Sequence, residues 1–193
     1  MINQKLFLHH IFSPSEFKPT DLEHIISHFK PVQFSKNEYL LKEGETENNY
    51  WFLEEGFIRS FVNDYNGNDI TTLFFSKGDV VIDWSSFFMR NPSRENIQAL
   101  SDCKCWQMEF NDFQTLFHSI DTFREHGRKR LVNSYFNLKN KSISMIAEQA
   151  KERYIQLLET KPLIVQNVPL QHIATYLGIT KHSLSRIRKE ISS

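Results

Sequence analysis

The chain is poor in the residues that staple, break or span. Its 193 residues include two cysteines, six glycines and six prolines. With 40% hydrophobic and 24% charged residues, that scarcity excludes a disordered, collagen-like or low-complexity protein. No apolar run approaches the ~18 residues of a membrane-spanning helix. The segment Met1–Phe12 lacks the basic start and long apolar core of a secretory signal. A soluble, cytoplasmic protein with no membrane partner is therefore expected. Cys103 and Cys105 are too few for the four thiolates of a usual iron–sulfur cluster. Two residues apart on a strand, at ~3.3 Å per residue, they also sit at or past the comfortable span of a disulfide. A chain of this length buries roughly 70% of its unfolded surface and needs neither disulfide nor metal to fold. No P-loop or GxGxxG is present, and no Ser/His/Asp or Cys/His arrangement has local support. Of the eight histidines, none lies between His28 and His118, which removes the ligands of a metal-dependent barrel enzyme. The pair His9-His10, near the start of the sequence, carries no weight. The chain is read as a non-enzyme, with no catalytic residue, metal or cofactor assigned.

What is present is unevenly distributed. Residues 1–123 hold 10 Lys and Arg against 18 Asp and Glu, a net of −8, and residues 124–193 hold 13 against 5, a net of +8. Of the 17 phenylalanines, only Phe136 follows residue 123. An acidic, aromatic-rich part is thus joined to a basic one, and such asymmetry points to an anionic partner, nucleic acid before membrane.

Helical spacing of Leu22, Ile25, Ile26 and Phe29 predicts a short helix over Pro19–Phe29. The period then changes. Gly44, Gly56, Gly67 and Gly78 recur at intervals of 12, 11 and 11, around the β-rich runs Tyr50–Leu53, Phe57–Val62, Ile70–Phe75 and Val80–Trp84. Short strands at that spacing read as a barrel or sandwich. Asn66-Gly67 suits a two-residue type I′ hairpin. Strand character returns at Asn96–Phe110, so the all-β part runs from about Val32 to Phe110. Phe113, Leu116, Phe117, Ile120, Phe123, Gly127, Leu131, Tyr135 and Leu138 then predict one long helix. It is too long for one small barrel to cover, so it is read as a dimerisation helix, with Phe117, Ile120, Phe123, Gly127, Leu131 and Tyr135 at the interface; the alternative is a core helix packed only on its own barrel. Lys139–Ser142 reads as a hinge. Another helix follows through Ile146, Ala150, Tyr154, Leu157 and Leu158, stopping before Pro162.

The sharpest pattern is C-terminal. Pro169 suits the first residue of a helix over Leu170–Leu177. Gly178 supplies a tight turn, and Thr180 caps a second helix beginning at Lys181. With Ala174, Leu184, Ile187 and Ile191 inward, this is helix-turn-helix spacing. The outward set, Lys181, His182, Ser183, Ser185, Arg186, Arg188 and Lys189 together with Thr180, suits phosphates and base edges.

The stretch Val168-Pro169-Leu170, Ile173-Ala174-Thr175-Tyr176-Leu177-Gly178-Ile179-Thr180, Leu184-Ser185-Arg186-Ile187-Arg188-Lys189 resembles the Crp/Fnr superfamily of bacterial transcription regulators. The resemblance implies an α+β fold. An N-terminal cyclic-nucleotide-binding-type antiparallel β-roll would occupy 1–112, and a long dimerisation helix and hinge 113–140. A C-terminal all-α, winged-helix-like helix-turn-helix domain would occupy 141–193. It implies double-stranded DNA, a second copy and RNA polymerase as partners, an unidentified small-molecule effector, and base reading by Lys181, His182 and Arg186. Family members often carry Arg-Glu where Lys181 and His182 stand, and many extend past the position of Ser193. Members that bind cyclic AMP carry Gly-Glu for the ribose and an Arg for the phosphate. Here Ile82 and Asp83 occupy the first place and Ser93 the second, with Arg94 one residue later and Arg90 nearby. A buried phosphate without a cation is costly, so the residues argue against cyclic AMP. Asp83, Trp84, Ser85, Ser93 and Arg94 are the candidate effector pocket, and Trp84, Phe87 and Phe88 a candidate apolar lining. The competing reading is a ligand-sensing adaptor whose basic domain binds protein or membrane instead of DNA.

Overall fold

The computed structural model describes residues 5–12 and 16–192, with backbone only at Ser192. Residues 1–4 of the Met1–Phe12 segment and Ser193 lie outside the described residues. The chain opens with α1 (Leu6–Ile11) and α2 (Pro19–Ser27). Eight strands follow: β1 (Lys30–Phe34), β2 (Tyr39–Leu41), β3 (Asn49–Glu55), β4 (Ile58–Asn63), β5 (Asp69–Phe75), β6 (Val80–Val81), β7 (Asn96–Ala99) and β8 (Cys103–Glu109), with α3 (Trp84–Met89) between β6 and β7. The rest is helical: α4 (Phe110–Ser119), α5 (Asp121–Ala147), α6 (Ala150–Thr160), α7 (Pro162–Asn167), α8 (Leu170–Tyr176) and α9 (Lys181–Ser192). No strand follows Glu109 among the described residues, so the C-terminal domain is all-helical and carries no wing strand.

The strands form two four-stranded antiparallel sheets, ordered β1-β8-β3-β6 and β2-β7-β4-β5. Strand β8 shows how they are filled. Its alternate residues Cys103 and Cys105 enter the core between the sheets, and Trp106 and Met108 enter the core under the helices. Both thiols are free and buried, and burial pushes Cys105 up to about 12, which removes nucleophilic character at neutral pH. The loop between β3 and β4 passes so close to β8 that a Cβ on Gly56 would meet Asp102 O and Cys103 Sγ at 2.6 Å. A third core joins α6 to α9 and continues into the roll through Phe74 and Leu100.

Several sequence expectations are corrected. The β4–β5 connection is a longer loop, not a two-residue type I′ turn: Gly67 has positive φ and Asn66 does not. The Asp64 carboxylate organises it, accepting from Asn66 N and Asn68 N at 2.8 and 2.9 Å. Trp84 starts α3 instead of ending a strand, because Asp83 caps that helix. The long helix is two helices, broken at Ile120, which is extended (φ −120°, ψ 105°). Lys139–Ser142 is no break: α5 runs through it, and the chain turns at Glu148 and Gln149, where Gln149 and Glu152 form a capping box. Ile146 therefore belongs to α5, and Pro162 begins α7. Pro169 is the cap of α8, not its first helical residue. Ile191 is exposed, not inward.

Candidate nucleic-acid interface and effector pocket

Helices α8 and α9 meet across a turn in which Gly178 has φ +69°. Thr180 Oγ1 accepts from Ser183 N at 3.2 Å, and Leu184 N donates to Thr180 O, so the capping hydroxyl is in place. Leu184 and Ile187 are buried against Ile173, Ala174 and Leu177, which fixes the roll angle of α9. Lys181, His182, Arg186, Arg188 and Lys189 are then exposed, and Ser183 and Ser185 half-buried beside them. Three arginine or lysine charges on the last three turns and one at the first lie along a single element. Such a face supplies both bidentate donors for guanine edges and cations for phosphates.

In the roll, Asp83 and Ser93, the positions that the resemblance sets against the ribose and phosphate partners, are adjacent in space. Ser93 Oγ donates to Asp83 Oδ2 at 2.7 Å. The other oxygen of Asp83 accepts from Ser85 N and Ser86 N at 3.0 and 3.1 Å. An internal carboxylate thus already satisfies the first amides of α3. Arg90 is engaged elsewhere. Arg90, in the left-handed conformation at φ +57°, donates to Glu47 O and Phe87 O and lies 4.0 Å over the Phe110 ring. Arg94 is exposed, and Ser93 is buried behind Asp83. Phe87 is fully buried core, and Trp84 and Phe88 stack on each other. Asp83, Trp84 and Ser85 line one end of a cleft of about 1030 Å³, with Asn133, Ser134 and Asn137 of α5 among its other walls. Glu47 lies under α3 with Oε2 unpartnered, and burial pushes its carboxyl up to about 8.

The helix-turn-helix domain is docked on the roll. Helix α8 covers β5, the edge strand of its sheet. Thr71 N donates to Thr175 Oγ1 at 3.2 Å, and the Phe74 and Tyr176 rings lie 5.0 Å apart. Lys161 Nζ donates to Phe74 O, and Lys141 Nζ donates to Thr72 O beneath the Tyr176 ring. Burial holds Lys141 down at about 8. On the flank, Arg59 of β4 reaches His172 of α8. Sequence reasoning passed over Arg59, His172, Thr175 and Lys141. One signal was there: Arg59 is the lone charge inside the apolar run Phe57–Val62.

Residues 31–119 match the cyclic nucleotide-binding domain family. The anaerobic regulatory protein of Haemophilus influenzae is 24% identical over 188 residues, covering 91% of this chain and 71% of that protein. FixK2 from Bradyrhizobium japonicum has the same fold at TM-score 0.73 and 15% identity, covering 85% of this chain and 84% of its own. A transcriptional regulator assigned to the Crp/Fnr family, from Eubacterium rectale, matches at TM-score 0.72 and 12% identity over 94% and 87%. The chain is similar to these regulators over most of its length and shares their fold.

Against the expected dimerisation helix, α5 divides. Phe123 is buried in the core of its own roll, with Phe117 and Ile120 packed against the same cluster. A Cβ on Gly127 would touch Phe117 at 3.4 Å. These four of the six expected interface residues therefore face inward, because the break at Ile120 folds α4 back under α5. Leu131 and Tyr135 are exposed, joined by Val132, Phe136, Leu138, Ile143 and Ile146. Among the described residues no helix is long and apolar enough to cross a membrane.

Proposed function

We propose that the chain is a dimeric, sequence-specific DNA-binding regulator of the Crp/Fnr type whose roll does not use cyclic AMP. The observation that carries the DNA reading is the exposed basic face of α9, held outward by buried Leu184 and Ile187 and capped by Thr180. Two such helices on a dimer enter successive major grooves of a pseudo-palindrome, roughly 34 Å apart. The exposed apolar half of α5, residues Leu131 to Ile146, supplies the seam for the second copy. RNA polymerase is a further partner if the output is activation. The Asp83–Ser93 hydrogen bond supports the effector reading: a cyclic phosphate there faces a carboxylate, with Arg90 engaged by the backbone.

Binding to duplex DNA across a salt series tests the first part. Phosphate contacts give a steep fall of affinity with salt. Arg186→Ala is expected to cost about 1–3 kcal/mol on a selected site and to relax its base preference, and Lys189→Ala to weaken all duplexes about equally. Equal, sequence-blind losses sink Arg186 as a base reader. Salt-insensitive binding, or none, favours the adaptor reading. Calorimetric titration with cyclic AMP and cyclic GMP is expected to give no heat from the folded dimer, and micromolar binding overturns the effector reading.

A further inference from the structure

Arg59 is 4% exposed at the seam between the roll and the DNA-binding domain. Its NH2 donates to Asp69 Oδ2 at 2.6 Å and to Gln98 Oε1 at 3.0 Å, and its guanidinium lies 4.1 Å over the Phe61 ring. Its NH1 lies 2.8 Å from His172 Nδ1. A guanidinium has only donors, so that ring nitrogen must accept, and the single imidazole proton sits on Nε2. We propose that the Arg59–His172 contact is a proton-operated latch, which holds the first helix of the helix-turn-helix on the roll and releases it when the imidazole takes a second proton.

Protonation acts twice on this contact. It replaces the accepting lone pair by an N–H that points at another N–H, and it sets a second cation beside a guanidinium that burial keeps from turning to water. The charged groups facing His172 are Arg59 from β4 and Asp69 from β5, with neutral Gln98 from β7 beside them. Asp69 favours the imidazolium, but burial and then Arg59 outweigh it and hold the imidazole below its ordinary range. The docked state therefore binds the proton less readily than the released one. The contribution of His172 to docking is whole above the ordinary imidazole value of about 6.5 and is lost as pH falls below it.

Release matters because of what α8 does in each state. In a helix-turn-helix bound to DNA the first helix crosses the phosphate backbone. Here α8 lies against β5 of a half whose net charge is −8, so the docked arrangement opposes approach to a duplex. The release step does not rest on DNA binding; its consequence for affinity does.

Amide exchange in the full-length protein tests the latch. Thr71 is on the edge strand and its N–H donates to Thr175 of α8, so its protection reports docking. Normalised to the amide of Phe52 in β3, that protection is expected to fall several-fold between about pH 8 and about pH 5. His172→Gln, an acceptor that does not titrate, is expected to keep it, and His172→Lys to lose it at every pH. A pH-independent Thr71 amide in the wild type, or the same fall in His172→Gln, overturns the latch. No DNA is present, so this failure leaves the DNA reading standing. A labelled duplex of mixed sequence then tests the consequence in a His182→Gln background, which removes the imidazole from α9. Acidification is expected to raise affinity there and not in the His172→Gln, His182→Gln pair; an equal response in both overturns the regulatory role.

Discussion

The two halves of α5 have the same apolar spacing and opposite fates. The first, around Phe123 and Gly127, is sealed by its own roll, where Phe123 contacts Phe12 and Phe113 at ring distances of 6.1 and 5.5 Å. The second, from Leu131 to Ile146, presents a row of large apolar side chains to solvent, with Tyr135 59% and Ile146 85% exposed. An i, i+3/i+4 pattern says that a face must be covered and not by what. What covers the first half is the pair α1 and α2 and the fold-back of α4; among the described residues nothing covers the second, which is the seam proposed for the second copy.

The largest expected effect separates intramolecular from intermolecular burial. Phe123→Ala should cost about 3–5 kcal/mol of unfolding free energy. Chemical denaturation should return that loss at every protein concentration. A loss that depends on concentration would place Phe123 at the dimer seam after all.

Next comes the exposed half. Tyr135→Glu puts a charge at the middle of the proposed seam, where a central aromatic is typically worth about 2 kcal/mol or more of association. Sedimentation should show a shift to monomer, with the monomer's own denaturation midpoint unchanged. A variant that stays dimeric, or that loses roll stability, would erase the distinction between the halves.

Much of this was legible in the sequence, for stated reasons. The glycine interval placed the strands of the roll, and Ala174, Gly178, Leu184 and Ile187 placed the helix-turn-helix, because turn chemistry and helical spacing are local. The division of α5 was not legible. Ile120 is apolar and in register with its neighbours, so nothing in the pattern marks it as the break; only the fold-back of α4 onto the roll does. The hinge at Lys139–Ser142 failed for the converse reason: a polar run reads as an interruption, yet here it is the solvated and cleft-facing side of a continuous helix, with Lys141 reaching Thr72 O. At the pocket, the family resemblance put Asp83 and Ser93 in the places of the ribose and phosphate partners. That the two are hydrogen-bonded to each other required the fold. Arg59 and His172 stand 113 positions apart, beyond any local signal.

A smaller effect is confined to the sealed half. His126, one turn after Phe123, lies 5.2 Å from the Phe12 ring and accepts from Arg130 Nε at 2.9 Å. Burial, then Arg130 and Lys129, hold it down at about 4. The folded state therefore refuses a proton that the unfolded chain takes at about 6.5. Its contribution is whole above that value and is lost as pH falls through about 4. His126→Gln should flatten the pH dependence of stability in this window, with the dimer constant moving in neither protein. An unchanged slope in His126→Gln would mean that the seam of α5 against α1 does not sense this proton.

The smallest effect decides which neighbour Gly127 serves. Inside a helix, glycine is about 1 kcal/mol less favourable than alanine. A Cβ at Gly127 would meet Phe117 Cε2 at 3.4 Å, an ordinary van der Waals distance to a side chain of its own chain. Gly127→Ala should therefore stabilise the fold by up to about 1 kcal/mol and leave dimerisation unchanged. A glycine kept for close approach of two copies behaves in the opposite way: the added methyl would push the partner helix off and weaken association while the monomer gains. Denaturation and sedimentation on this one variant read the two terms separately. A stabilised monomer with an intact dimer assigns Gly127 to the sealed half. A weakened dimer moves the boundary between the halves one turn toward the N-terminus of α5.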